Sequence, residues 1–113
     1  GTLDGVRLLS PGRIEAIRAP QGDAVDEVAG APARRGLGYG LGGEFAQSGS
    51  GAMGRASRAF GHGGNGGSLG FADPERELAF GLIKTLMLPG LAPDQTAAYL
   101  IAEAIRTHLD SVG

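Results

Sequence analysis

Apolar residues alternate with small or polar ones through residues 68–88, which carry the clearest hydrophobic pattern in the chain. A period of two is typical of β-strands, and it predicts one strand over 68–72 and a second over 77–87. The four residues between them, Asp-Pro-Glu-Arg, favour a type I turn because Pro suits its second position. We therefore expect an antiparallel hairpin here, ended by Pro89 and Gly90.

Helical periodicity appears near each end of the chain. A Ser-Pro pair precedes two isoleucines three residues apart, which predicts a short helix over residues 11–18. Near the C-terminus, Asp94 can cap a longer helix that runs to about residue 111. Apolar residues in this helix recur at four-residue steps, so a charge at Ile101 is expected to destabilise the fold. The predicted stripe consists of Ala97, Ile101, Ile105 and Leu109.

Glycine interrupts the remaining apolar pattern. Residues 20–36 have the composition of a surface loop, and residues 37–45 alternate apolar side chains with glycines, which predicts a strand with one bare face. Residues 47–56, mostly Ser, Gly and Ala, predict a mobile loop. The fold class expected from these elements is α+β: an antiparallel sheet of three to four strands, with the C-terminal helix packed on it and a short N-terminal helix beside it.

The composition limits the chain to one small domain or part of one. Its 113 residues are 42% hydrophobic and 19% charged, as is typical of a soluble globular segment. A net charge of −2 without a basic stripe argues against nucleic acid as a partner, and no apolar run is long enough to span a membrane. Glycine is over-represented, with 22 residues, and such a backbone must be held by neighbouring structure.

Candidate chemistry is confined to a few residues. With no cysteine and only two distant histidines, the chain lacks clustered metal ligands, and we expect no metal and no cofactor. Two matches to G-x-G-x-x-G, over 38–43 and 61–66, do not favour dinucleotide binding because no predicted helix follows either. His108 lies near the end of the last predicted helix, where the helix dipole favours a cation. His62, inside a glycine run, is the candidate functional side chain.

His62 belongs to the most specific motif of the sequence. Residues 60–75 run Phe-Gly-His-Gly-Gly-Asn-Gly-Gly-Ser-Leu-Gly-Phe-Ala-Asp-Pro-Glu. This order resembles the C-terminal motif of the serine β-lactamase and penicillin-binding-protein superfamily, particularly its esterase-like members, from about Leu37 to the chain end. The resemblance implies that residues 1–113 are the C-terminal portion of a single β-lactamase-like serine hydrolase domain, with the missing N-terminal portion as their partner.

The resemblance also implies a role for each residue of the motif. His62 takes the place of the family's Lys, near the substrate, while Gly63 and Gly64 take the substrate-binding positions of its hydroxyl residue and glycine. Asn65 takes the next position, whose backbone N–H completes the oxyanion hole in the family. His62 and Asn65 are thus the expected catalytic residues, acting on a small-molecule ester or amide through an acyl-enzyme.

Departures from the family pattern refine this expectation. Gly63 lacks the hydroxyl that helps to hold a substrate carboxylate, which favours esterase-like specificity. The sequence contains neither the family's Ser-x-x-Lys motif nor its Tyr-x-Asn or Tyr-x-Ser motif. The only lysine is Lys84, and the residue three positions before it is Gly81, not serine. The complete protein is therefore expected to be an enzyme and the isolated segment inactive. Ser68 is expected to be kept apart from His62 by intervening strand.

Two alternatives to the hydrolase stay open. The first is a non-catalytic binding module, for peptidoglycan or another ligand, that keeps the β-lactamase-like scaffold. The second is a free-standing glycine-rich ligand-binding domain, which would fold from these residues alone. The upstream sequence would discriminate, because an intact Ser-x-x-Lys motif followed by Tyr-x-Asn or Tyr-x-Ser supports the enzyme.

Overall fold

The computed structural model describes residues 1–22, 25–28, 30–43, 53, 56–88 and 90–113. Within these ranges the chain has an α+β arrangement, which confirms the expected fold class. The helices are α1 (Pro11–Arg18) and α2 (Ala97–Val112). The strands are β1 (Thr2–Leu3), β2 (Val6–Arg7), β3 (Val25–Asp26), β4 (Ala31–Pro32), β5 (Gly40–Leu41), β6 (Phe60–Gly63), β7 (Leu69–Asp73) and β8 (Leu78–Leu82).

Strands β5 to β8 form a four-stranded antiparallel sheet in which sequence neighbours are also spatial neighbours. In the β7–β8 hairpin, Leu69 pairs with Leu82, and the predicted turn follows Asp73, whose carbonyl accepts from the Arg76 N–H at 3.3 Å. Glu77 completes the loop with a φ of +50°. The hairpin is as predicted except that β8 ends at Leu82, not at residue 87. It ends there because β7 begins at Leu69, so later residues have no strand partner.

The core lies between one face of this sheet and helix α2. Paired residues of antiparallel strands share a face, so Phe71 and Phe80 lie side by side, with ring centroids 5.1 Å apart. Helix α2 faces them with two buried alanines, Ala98 and Ala102. The buried cluster contains Met53, Ala56, Ala59, Leu69, Phe71, Ala98 and Ala102.

Helix α2 is rotated by about one residue from its predicted orientation. Ala97 is exposed and Ile101 is 43% exposed, so the expectation that a charge at Ile101 would enter the core is wrong. The cap also differs: Thr96, not Asp94, accepts from the Tyr99 N–H, at 3.2 Å. The buried residues of the helix are Ala98, Ala102 and Arg106.

Arg106 explains why the hydrophobic pattern did not identify the buried face of helix α2. Arg106 is only 4% exposed, yet its guanidinium donates to Glu103 at 2.8 Å and lies over the Phe71 ring, 5.6 Å from the centroid. An ion-paired guanidinium stacked on an aromatic ring fills a core position as an apolar side chain would. A count of apolar residues therefore favours the wrong face.

Helix α1 has the predicted bounds and cap. Ser10 Oγ accepts from the Arg13 N–H at 3.2 Å, and Pro occupies the first turn. Arg18 attaches the helix to the sheet: its Nε–H donates to the Arg58 carbonyl at 2.9 Å, and its guanidinium lies 6.0 Å from the ring centroid of Phe60. The expected position of α1 beside the sheet is therefore confirmed.

Two predictions between α1 and β6 need correction. The surface loop predicted over 20–36 contains the β3–β4 hairpin, in which Val25 pairs with Pro32. Of the strand predicted over 37–45, the described residues 37–43 form only β5, because Gly38 and Gly43 adopt φ values of +77° and +121°, which interrupt an extended backbone. Residues 44–52, 54, 55 and Pro89, which include most of the predicted mobile loop, lie outside the described residues.

Ion pairs attach the β7–β8 turn to helix α2. Arg76 donates to Asp73 at 3.0 Å and, through two nitrogens, to both carboxylate oxygens of Asp110, at 2.8 and 2.9 Å. Asp73 is fully buried and also accepts from the Glu75 N–H, at 3.2 Å. The hydrogen bonds from Arg76 hold the pKa of Asp110 below its ordinary value, which keeps this carboxylate ionised.

Arg76→Met should lower the free energy of unfolding by about 2–3 kcal/mol, because the buried carboxylate of Asp73 loses its cation. Since the folded-state pKa of Asp110 is lowered, its pair with Arg76 stabilises the fold above the unfolded-state pKa and is lost as the pH falls through the folded-state value. The variant should lack this acid dependence in urea unfolding. Asp110→Asn should be clearly milder at pH 7, and equal losses in the two variants would contradict the role assigned to Asp73.

Candidate functional site

The His62 motif occupies strand β6 and the tight turn after it. The Gly64 N–H donates to the Ser68 carbonyl at 2.7 Å, and the Gly67 N–H donates to the Gly64 carbonyl at 2.9 Å. Gly67 adopts a φ of +91°. These features define a three-residue hairpin loop in which a type I turn is followed by a left-handed glycine. Asn65 is therefore the second residue of a turn and not, as expected, part of a strand.

The His62 side chain projects from the sheet face opposite α2. His62 pairs with Gly70, and Gly70 with Gly81, so this row across three strands carries one side chain. A methyl group built on Gly70 or Gly81 would meet no atom within 4 Å. His62 therefore stands exposed on a bare part of the sheet, in an open depression of about 460 Å³ that Ser68 and Ile83 also line.

The imidazole of His62 has a defined hydrogen-bond role. Its Nδ1 lies 2.7 Å from the carbonyl oxygen of Gly63. A carbonyl oxygen can only accept, so Nδ1 carries the hydrogen, and in the neutral ring Nε2 holds the lone pair. The ring thus offers one acceptor to a group that enters the depression.

Strand β6 has an open edge beside His62. Strand β5 pairs only with Phe60 and Gly61, so no strand of the described ranges continues along that side. Backbone groups of an antiparallel strand point alternately to its two neighbours, and the Gly64 N–H bonds to the β7 side, so the Gly63 N–H points to the open edge. The Asn65 N–H takes no part in the hydrogen bonds of the turn. Backbone donors are therefore accessible at this end of β6.

The turn also brings Ser68 to the site. Because Ser68 lies opposite Gly64, its side chain shares a sheet face with His62, and the expectation that intervening strand keeps them apart is wrong. The two side chains occupy diagonal positions, which are typically about 7–8 Å apart in such a ladder. No hydrogen bond joins them among those found in the described part of the chain.

Two contacts with the turn were not indicated by the sequence. Lys84 lies against Gly67, and Met87 lies against Gly66. The strand predicted through residue 87 would have carried both side chains along the sheet, and no local signal marks their contact with a turn some twenty residues earlier. The early end of β8 makes the contact possible.

Metal binding and membrane insertion find no support in the described ranges. No three His, Asp or Glu side chains there are arranged to hold a metal ion. No helix there combines the length and the apolar character needed to cross a bilayer.

Comparison with known proteins identifies the family. The family model described as Beta-lactamase matches residues 1–105. The chain belongs to the β-lactamase family. Among solved structures, EstA from Arthrobacter nitroguajacolicus Rue61a is similar to this chain, with a TM-score of 0.74 and 28% sequence identity. The match covers 94% of this chain and 26% of EstA, so the chain spans about a quarter of that relative's length. No curated protein matches it.

Membership of the β-lactamase family confirms the resemblance carried by residues 60–75. The family's serine nucleophile, however, has no counterpart here, because no serine of the chain is followed by Lys at the third position. Ser68, the serine beside the site, is followed at that spacing by Phe71. In this β-lactamase family chain, the candidate site thus consists of the His62 strand, the turn and the open edge.

Proposed function

We propose that the complete protein is a serine hydrolase with esterase-like specificity that acts through an acyl-enzyme, and that residues 1–113 are the C-terminal portion of its catalytic domain. This segment supplies the active-site strand and the oxyanion donor. The nucleophile and its base come from the remainder of the domain, since nucleophilic catalysis needs both and this segment has no such pair. Membership of the β-lactamase family and the likeness to EstA support hydrolytic chemistry.

The observation that carries the proposal is the open edge of β6. Gly63 and Gly64 have no side chains, so a substrate carbonyl can approach the backbone closely. The Asn65 N–H, unused by the turn, then donates to the oxyanion that develops as the nucleophile attacks. One preorganised donor of this kind contributes roughly 3–4 kcal/mol to transition-state stabilisation.

His62 acts beside this donor. Its Nε2 accepts a proton or a hydrogen bond from the reacting group, while the Gly63 carbonyl holds the ring through Nδ1. The absence of a hydroxyl at Gly63 supports an uncharged ester or amide as the substrate, because no side chain at that position holds a carboxylate. The isolated segment, without a nucleophile, should not turn over substrate.

Asn65→Pro tests the oxyanion assignment in the complete protein. The variant should lower kcat/KM for a nitrophenyl ester by about 100-fold or more, because it removes the backbone donor. Asn65→Ala keeps the N–H and should stay within about three-fold of wild type. Proline suits the second position of a type I turn, where the N–H is not needed for the fold, so the melting temperatures of both variants should stay close to wild type.

The outcomes separate the hypotheses. Equal activity of the two variants would show that the oxyanion donor lies elsewhere. A wild-type protein that hydrolyses no ester and forms no adduct with a fluorophosphonate would contradict the hydrolase and favour the non-catalytic binding module.

A further inference from the structure

The turn that carries Asn65 is covered by two side chains from the segment after β8. A methyl group built on Gly66 would lie 2.9 Å from Cγ of Met87, and one built on Gly67 would lie 3.0 Å from Nζ and 3.2 Å from Cε of Lys84. Both side chains therefore rest directly on the α-carbons of the turn. The two glycines leave just enough room for them.

The course of the chain explains this contact. Leu82 is the last residue of β8 with a partner, because β7 starts at Leu69 and the β6–β7 turn lies beyond it. The segment that continues from Leu82 passes beside that turn. Lys84 is half-buried there, and Met87 is 59% exposed, so each covers the turn with part of its side chain only. Leu86, between them, is 66% exposed and is not among the atoms nearest to Gly66 or Gly67.

We propose that Lys84 and Met87 are positioning residues that hold the β6–β7 turn and thereby fix the oxyanion donor at Asn65. The inference rests on the function proposed above for that donor. Two consecutive glycines give the turn more backbone freedom than any other residue pair would, and Gly67 already occupies the left-handed region. Side chains packed on both α-carbons restrict this freedom without hydrogen bonds.

The contact acts on catalysis through distance. A backbone donor stabilises an oxyanion only when it is held close to its productive position, and a misplacement of about 1 Å can cost up to 100-fold in rate. Lys84 contacts the turn through the end of its side chain, with Nζ nearest and the stem carbons Cε and Cδ just behind it. A methionine at position 84 keeps a side chain that reaches about as far as Cε and removes the charge, so it separates the packing of the stem from the charge.

Steady-state kinetics of the complete protein with a nitrophenyl ester provide the first test. Lys84→Ala and Met87→Ala should each lower kcat by about 10-fold with KM within about two-fold of wild type, because the donor acts in the transition state. Lys84→Met and Met87→Leu should keep wild-type kcat. Leu86→Ala, in the same segment but away from the turn, is the matched control and should also keep it.

Amide hydrogen exchange provides a readout that does not depend on activity. In both alanine variants, exchange at Gly64 and Gly67, whose N–H groups form the hydrogen bonds of the turn, should rise by about 10-fold, while Phe71 in β7 should exchange as in wild type. Lys84→Met and Leu86→Ala should leave the turn unchanged.

Each outcome decides one question. Unchanged exchange at the turn in both alanine variants would overturn the positioning role, even in a protein without esterase activity. Faster exchange with unchanged kcat would overturn the link between the position of the turn and catalysis. A loss of kcat in Lys84→Met equal to that in Lys84→Ala would overturn the packing role of the stem and assign the effect to the charge. A wild-type protein inactive towards esters contradicts the proposed function, while the exchange data still decide the contact.

Discussion

Gly61→Ala is expected to lower the free energy of unfolding by about 4 kcal/mol or more. A Cβ at this position would overlap the carbonyl oxygen of Gly70 and lie 2.6 Å from Cα and Cβ of Phe71. Two of these three atoms belong to the backbone of the adjacent strand, so no flexible side chain can move aside, and β6 would have to separate from β7. Urea unfolding followed by circular dichroism measures the loss.

Gly70→Ala is the matched control for this prediction. Gly70 lies in the same hairpin, but a methyl group at this position would project from the sheet face that carries His62. It would meet no atom within 4 Å there. This variant should be neutral or more stable by up to about 1 kcal/mol, because alanine restricts the unfolded chain. Similar losses of stability in the two variants would contradict the prediction. They would show that replacing any glycine of this hairpin is costly, and that the close contact of Gly61 with β7 is not the cause.

Ala102→Lys is expected to cost about 4 kcal/mol or more. Ala102 is 0% exposed between α2 and the sheet, so the substitution overfills a packed position and brings an unpaired cation beside the buried Arg106. Thermal unfolding of purified protein measures the effect, and failure to obtain folded protein would agree with it.

Ile101→Lys separates the observed helix orientation from the one that the hydrophobic pattern favours. Ile101 is 43% exposed, and a lysine there can direct its ammonium into water, so the loss should stay within about 1 kcal/mol. A larger loss for Ile101→Lys than for Ala102→Lys would mean that α2 packs through the apolar stripe predicted from the sequence.

Only part of the candidate site could be predicted from the sequence. The motif around His62 indicated the family, which the family model confirms, and its resemblance suggested the four consecutive residues 62–65 as the candidate site. The turn at Asn65 was missed although Asn-Gly between two short strands favours a hairpin, because the resemblance to the family placed this residue on the active-site strand. That reversal alone places Ser68 on the face of His62 and leaves the Asn65 N–H free of the turn's hydrogen bonds.

Local signals in the sequence determined several elements on their own. The Ser-Pro start fixed α1 at Pro11–Arg18, and the Asp-Pro turn fixed the register of β7 and β8, because caps and turns act over three or four residues. The orientation of α2, the end of β8 and the contacts of Lys84 and Met87 were decided only in the tertiary structure. Each depends on a surface formed by residues distant in sequence: the Phe71 ring under Arg106, the start of β7 opposite Leu82, and the glycine turn that leaves room for two side chains.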